Sequence, residues 1–140
     1  MNIIFVCLGN ICRSTMAEFV MKDMVSKAKL ECNIISRATS DEEEGNPIHY
    51  GTRKILDKYG IPYESRRATV ITRDEYDWAD IVVCMEDSNV RNLKRVVGTD
   101  TKTVKLLDRN VADPYYTGNF ESTYRDVIEG CQKLLEKIKG

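Results

Sequence analysis

Histidine and paired cysteines are scarce in this chain of 140 residues, and long apolar runs are missing. The sequence has one histidine, His49, and no CxxC pair. Because zinc sites in proteins are built from several such ligands, we expect no metal site. The five cysteines are an odd number in a chain long enough to bury its own core, which argues against a disulfide framework and for reduced thiols.

No apolar run approaches the ~18 residues that a membrane span needs, and residues 1–6 lack the basic start and length of a signal peptide. Lys and Arg number 21 against 22 Asp and Glu, which gives a formal charge of -1. The chain therefore has no global basic field for nucleic acid or anionic lipid. We expect a cytoplasmic protein that binds neither nucleic acid nor membranes, and any anion site must be local.

Short apolar runs alternate with amphipathic stretches along the chain. The strand candidates are residues 2–6, 32–38, 80–85 and 102–107. The helix candidates are residues 14–28 with Ser14 as N-cap, 50–59, a stretch capped by Asp87 or Ser88 that ends at Val97, and 124–138. This alternation predicts one domain over residues 1–140 with an α/β fold, a doubly wound, Rossmann-like sheet of about four parallel strands with helices on both faces.

The segment after the first strand carries the chemistry and reads Cys7-Leu8-Gly9-Asn10-Ile11-Cys12-Arg13-Ser14. Backbone N–H groups of such a tight loop can converge on an anion, and the helix start adds donors and partial positive charge. Gly9 and Asn10 suit the positive φ angles of such a loop. Arg13 adds a planar fork that matches two oxygens of a tetrahedral oxyanion. The segment predicts a phosphate site.

The same positive surroundings favour the thiolate form of Cys7, which is the nucleophilic form. A cysteine after an apolar strand is by itself more often a core thiol, but Arg13 and Ser14 favour the nucleophile here. The nucleotide-binding pattern GxxxxGK[ST] is absent, so we expect neither ATP nor GTP at this loop.

The stretch from Val6 to Ser14 resembles the signature of the low-molecular-weight protein tyrosine phosphatases, whose fold is of the phosphotyrosine protein phosphatase I type. The resemblance extends over nearly the whole chain. Its further matches are Ser36, Thr39, Gly45-Asn46-Pro47, Cys84-Met85, Ser88-Asn89, Asp113-Pro114-Tyr115-Tyr116 and Phe120.

The resemblance implies a two-step phosphoryl transfer without metal or cofactor. Cys7 is then the nucleophile, and Asp113 is the general acid and later the base. The phosphate-binding residues it implies are Leu8, Gly9, Asn10, Ile11, Cys12, Arg13 and Ser14. Asp-Pro also caps turns, so a purely structural role for Asp113 stays open at this point.

The resemblance also implies supporting roles and partners. Asn10, Ser14 and Ser36 orient the loop, and Ser14 also assists the departure of the Cys7 sulfur. Tyr115 and Tyr116 form walls of the substrate cleft, and Cys12 forms a reversible disulfide with Cys7 under peroxide. The alternative is that Cys12 is a passive residue of the loop. The implied substrate is a phosphotyrosyl protein or a small aryl phosphate, and the implied state is a monomer or a weak dimer.

Some positions depart from the family pattern. Thr15 follows the Arg-Ser pair where proline is usual, and Glu42 stands where a rim aromatic is common. We hypothesise that the acidic run 41–44 weakens binding of phosphopeptides with acidic flanks, because like charges repel. The alternative is that this run is only a solvated loop.

Other functions remain as alternatives. An arsenate reductase of the same fold needs a relay of further redox cysteines, but Cys32, Cys84 and Cys131 fall at apolar positions typical of the core. A non-catalytic phosphate-binding module could discard the thiol or the acid, and this chain keeps both. Relatives associated with phosphoarginine place threonine after the loop glycine, whereas this chain has Asn10, which favours phosphotyrosine.

Overall fold

The computed structural model describes residues 1–140, in which strands alternate with helices. The elements are β1 (Asn2–Cys7), α1 (Arg13–Lys27), β2 (Asn33–Ala38), α2 (Tyr50–Lys58), α3 (Arg73–Trp78), β3 (Ile81–Cys84), α4 (Asp87–Val97), β4 (Thr103–Lys105), α5 (Pro114–Thr117) and α6 (Phe120–Lys139). No helix has both the length and the apolar character needed to cross a membrane.

The strands form one parallel sheet in the order β2-β1-β3-β4. From β1 the chain first crosses to β2 on one side, and later returns to β3 on the other side. Cys7 pairs with Ala38, and Val6 pairs with Cys84, so the carboxyl ends of three strands meet at one edge. Because the two connections leave β1 toward opposite sides of the sheet, a crevice opens at that edge, where doubly wound sheets bind their ligands.

The central strand β1 is buried on both faces. Ile3 and Phe5 belong to the larger core cluster, which includes residues of α1 and α6. Ile4 and Val6 belong to a smaller cluster with residues of α3 and α4. Burial on both faces explains why β1 is a continuous apolar run, not an alternating one. The predicted four-stranded, doubly wound α/β sheet is confirmed.

The structure corrects several predicted boundaries. α1 begins at Arg13 with Cys12 as its N-cap, so Ser14 lies inside the helix and is not the cap. Glu86, not Asp87 or Ser88, is the N-cap of α4. β4 is limited to Thr103–Lys105 because the chain turns toward the core beyond it, where Leu106 and Leu107 are buried.

The sequence did not predict the short helices α3 and α5. α3 has six residues, and only Tyr76 among them is buried, so no apolar periodicity marks it. Its start is fixed instead by a capping box between Thr72 and Glu75. α5 has four residues, which is too short for any periodic pattern.

Candidate active site

A cleft of about 430 Å³ opens at the carboxyl end of β1. Three segments line it, namely residues 7–13, the pair Glu42 and Glu43, and Asp113 with Tyr115 and Tyr116. The structure thus brings together the predicted nucleophile, arginine, acid and rim residues from distant parts of the sequence.

The sulfur of Cys7 sits in a pocket of hydrogen-bonding groups. Its Sγ lies 3.0 Å from the Oγ of Ser14 and accepts the backbone N–H of Asn10 at 3.3 Å. The side-chain amide of Asn10 donates to the same Ser14 Oγ at 2.8 Å. A protonated Cys7 donates to the Ser14 oxygen, whereas an ionised Cys7 sulfur would accept from both the Ser14 hydroxyl and the Asn10 N–H.

Two residues, Asn10 and Gly9, determine the backbone conformation of the loop. Asn10 has a φ of 59°, a left-handed conformation that asparagine tolerates, and its Oδ1 accepts the N–H of Thr69 at 3.3 Å. Gly9 does not have the predicted positive φ. Gly9 instead lets the loop pass close to Glu43, because a Cβ at position 9 would lie 3.1 Å from the Glu43 side chain. The N–H groups of Gly9 and Ile11 have no partner within the protein and border the cleft.

Arg13 is buried, with an exposed fraction of 3%, and its guanidinium is held by three groups. It donates to the Val111 carbonyl at 3.2 Å, to Glu86 at 3.4 Å and to Asp113 Oδ2 at 3.3 Å. Burial raises the pKa of Glu86, but hydrogen bonds from Arg13 and Ser88 outweigh it, so the pKa lies below its usual value. Glu86 therefore remains charged and fixes the orientation of the Arg13 guanidinium.

Glu86 is not among the site residues that the sequence predicted. It lies two residues after β3 and therefore at the same sheet edge as the end of β1, which is the signal that could have revealed it. Asn89 supports it, because the Asn89 Oδ1 accepts the backbone N–H groups of Met85 and Glu86, each at 3.1 Å.

Asp113 combines two contacts. Its Oδ1 accepts the N–H of Tyr115 at 3.0 Å and so caps α5, while its Oδ2 faces Arg13. Asp113 therefore both caps the turn, which was the structural alternative, and lies in the cleft beside Arg13. The side chain is 23% exposed, which leaves it access to a substrate.

The two cysteines of the loop differ in their surroundings. Burial raises the pKa of the Cys12 thiol to about 12, and the nearby Cys7 and Asp113 add to that rise. The thiol of Cys12 therefore stays protonated at neutral pH. Cys84 and Cys131 are fully buried, as predicted for core residues, and Cys32 is half-buried.

The structure does not place Ser36 against the loop. Its hydroxyl donates to Glu18 Oε1 at 2.6 Å, and Glu18 Oε2 also receives Arg66 at 2.9 Å and Lys22 at 2.6 Å. Ser36 therefore has no hydrogen bond to the loop residues, and its role in orienting the loop stays a prediction. Ser36 pairs with Phe5, two residues before Cys7 along β1, and at that level it meets α1 instead.

The rim of the cleft is acidic and aromatic. Glu42 and Glu43 lie in the loop after β2, and the rings of Tyr115 and Tyr116 are 5.4 Å apart in an edge-to-face arrangement. These tyrosines are 75% and 81% exposed, so their rings are available to a ligand. His49 is the N-cap of α2, and its Nδ1 accepts the N–H of Gly51 at 3.0 Å.

Comparison with known proteins agrees with this geometry. A family model described as low molecular weight phosphotyrosine protein phosphatase matches residues 2–140. The low molecular weight protein-tyrosine-phosphatase YfkJ of Bacillus subtilis is 38% identical, over 99% of this chain and 96% of its own. PtpA of Staphylococcus aureus, of the same description, is 37% identical over 98% and 93%.

Solved structures give the same result. SP-PTP, a low molecular weight protein tyrosine phosphatase from Streptococcus pyogenes, has 46% identity and a TM-score of 0.91, over 97% of this chain and 91% of its own. The crystal structure of YfkJ has 35% identity and a TM-score of 0.94, over 99% and 94%. The loop, its buried arginine and these full-length matches show that the chain belongs to the low-molecular-weight protein tyrosine phosphatase family.

Proposed function

We propose that this protein is a cytoplasmic enzyme that hydrolyses phosphotyrosine, in phosphotyrosyl proteins or small aryl phosphates, through a phosphocysteine on Cys7. The observation that carries this proposal is the convergence of the Cys7 sulfur, the Arg13 guanidinium and the Asp113 carboxyl on one cleft. The relatives' names indicate the substrate class.

In the first step, the Cys7 thiolate attacks phosphorus on the side opposite the phenolic oxygen. The S–P bond forms as the P–O bond breaks, and the Asp113 carboxyl gives its proton to the departing oxygen. Arg13 and the loop N–H groups hold the equatorial oxygens.

In the second step, water attacks phosphorus opposite the sulfur. Asp113, now a carboxylate, accepts a proton from that water while the S–P bond breaks. The electron pair of the bond returns to Cys7 as a thiolate, which the Ser14 hydroxyl and the Asn10 N–H stabilise. Inorganic phosphate leaves, and the enzyme is restored.

We place the substrate's aromatic ring against the exposed surfaces of Tyr115 and Tyr116, because aromatic rings favour edge-to-face or offset contacts. An arsenate-reducing relay lacks its thiols here. Cys84 is fully buried, and burial raises its pKa to about 12, while Cys131 lies on α6 in the core.

The test is steady-state hydrolysis of 4-nitrophenyl phosphate and phenyl phosphate in EDTA. Cys7→Ser is expected to abolish turnover, and Asp113→Asn to lower kcat on phenyl phosphate by about 10²- to 10⁴-fold. Cys32→Ser is the matched control, because this half-buried cysteine lies outside the cleft. Turnover by Cys7→Ser at the wild-type rate, or no turnover by folded, reduced wild type, would overturn the proposal.

A further inference from the structure

The residue before the proposed acid is held at both of its backbone groups by one helix. The N–H of Ala112 donates to Asp126 Oδ2 at 3.0 Å, and its carbonyl accepts the Thr123 hydroxyl at 2.8 Å. Thr123 and Asp126 are three positions apart on α6, a spacing that places both side chains on the same face of the helix. Ala112 is thus clamped by two side chains of α6.

Both members of this clamp are themselves fixed. Thr123 has an exposed fraction of 0%, so its hydroxyl has no water to exchange with. Asp126 Oδ1 accepts from Arg109 at 3.0 Å, and Arg109 also pairs with Glu129 at 3.1 Å. The Arg109 guanidinium is therefore held across one turn of α6, and it orients the carboxylate that receives Ala112.

The chain before Ala112 is anchored, but the chain after Asp113 is not anchored equally. Val111 donates to the Met85 carbonyl at 2.8 Å and accepts from Arg13 at 3.2 Å. After Asp113, Pro114 is buried but has no N–H to donate, and Tyr115 and Tyr116 are mostly exposed. The position of Asp113 over the loop therefore depends on the segment before it.

α6 is a firm base for this purpose. It packs along α1, the helix that begins at the phosphate-binding loop, and Val127 and Cys131 on its inner face are fully buried. A displacement of about 1 Å at a reacting group can cost about a hundredfold in rate, so the two hydrogen bonds to Ala112 matter for the reaction.

We propose that Thr123 and Asp126 are positioning residues for the general acid, which set the placement of Asp113 through the backbone of Ala112. This rests on the proposed role of Asp113 as the acid. Neither residue lines the cleft, so neither touches the substrate. Loss of either one should impair proton donation and leave phosphate binding intact.

The experiment compares phenyl phosphate, whose leaving group needs a proton, with 4-nitrophenyl phosphate, whose leaving group is stable as an anion. Thr123→Val keeps the shape of the side chain and removes the hydroxyl. We expect it to lower kcat/KM, which reports the step that expels the leaving group, by about tenfold on phenyl phosphate, with a much smaller loss on 4-nitrophenyl phosphate and unchanged inhibition by inorganic phosphate. In an Asp113→Asn background the same change should have no further effect.

The carboxylate gives a second, independent test. Asp126→Ala removes the acceptor for Ala112 and should reproduce the leaving-group dependence, whereas Asp126→Asn retains an acceptor oxygen and should restore most of the rate. Glu129→Gln is the matched control, because Glu129 shares Arg109 but does not contact Ala112. Thermal unfolding of each variant checks that the fold is retained.

The outcomes separate the two proposals. Losses of kcat/KM that are equal on both substrates, or that persist in the Asp113→Asn background, would overturn the positioning role and indicate general damage to the fold. If Asp113→Asn shows the leaving-group dependence and neither Thr123→Val nor Asp126→Ala does, only the inference fails. If Asp113→Asn itself shows no such dependence, the acid assignment fails, and the inference fails with it.

Discussion

Replacement of Ser14 by alanine tests the least conspicuous part of the proposed chemistry. The Ser14 oxygen lies 3.0 Å from the Cys7 sulfur and accepts from the Asn10 amide at 2.8 Å. Ser14→Ala therefore removes a donor to the thiolate and leaves the Asn10 amide without its acceptor. The thiolate is the nucleophile of the first step and the leaving group of the second, and a less stabilised thiolate is a better nucleophile but a worse leaving group.

A hydrogen bond to a charged group contributes about 1.5–3 kcal/mol, which corresponds to about 10- to 150-fold in rate. We expect breakdown of the phosphocysteine to slow by about this factor, and its formation to slow much less. The buried Asn10 amide, left without an acceptor, should also lower the free energy of unfolding by about 1–3 kcal/mol.

The assay is rapid mixing with excess 4-nitrophenyl phosphate. Ser14→Ala should release a burst of 4-nitrophenol equal to the enzyme concentration, followed by a slow steady state. Thr15→Val is the control, because it removes a buried hydroxyl from the same helical turn whose partner is the Cys12 carbonyl, not the sulfur. Equal losses in kcat and kcat/KM without a burst, or the same behaviour in Thr15→Val, would refute the reasoning.

Three further predictions concern the rim, the second thiol and Glu86. Replacing both Glu42 and Glu43 by lysine should raise kcat/KM for acidic-flanked phosphopeptides, relative to basic-flanked ones, by about two- to fivefold at low salt. An unchanged ratio would show that the acidic run is only a solvated loop. Peroxide should convert Cys7 to a sulfenic acid, which condenses with the Cys12 thiol to give a disulfide and water. Dithiothreitol should therefore restore more activity to oxidised wild type than to oxidised Cys12→Ser, and equal recovery would exclude the disulfide. The pKa of Glu86 in the folded protein is below its usual value of 4.5. The charged Glu86 therefore stabilises the fold above pH 4.5, and this stabilisation is lost as the pH falls through the lowered pKa. In urea unfolding, the free energy of unfolding of Glu86→Gln should fall less on acidification than that of wild type, and an equal fall would contradict this.

The sequence was most informative where the chemistry is local. Cys7, Asn10 and Ser14 lie within eight positions, and their mutual hydrogen bonds are set by one strand end, one tight loop and one helix start. Apolar strands alternating with helices were also enough to predict the parallel sheet, because burial on both faces leaves a clear pattern. The short helices were less predictable, since α3 and α5 have too few residues to show an apolar period.

The sequence by itself determined the loop, the thiol and the arginine, together with the class of fold that presents them. Only the tertiary structure decided that Glu86 holds Arg13 from 73 positions away, that Asp113 meets it from 100 positions away, and that Ser36 turns to Glu18. Contacts of this range depend on strand order and helix packing, and a residue's neighbours along the chain carry no information about them. Eight consecutive residues therefore encode the proposed phosphate site, whereas the contacts that hold its arginine and its proposed acid form only once the sheet and α6 are in place.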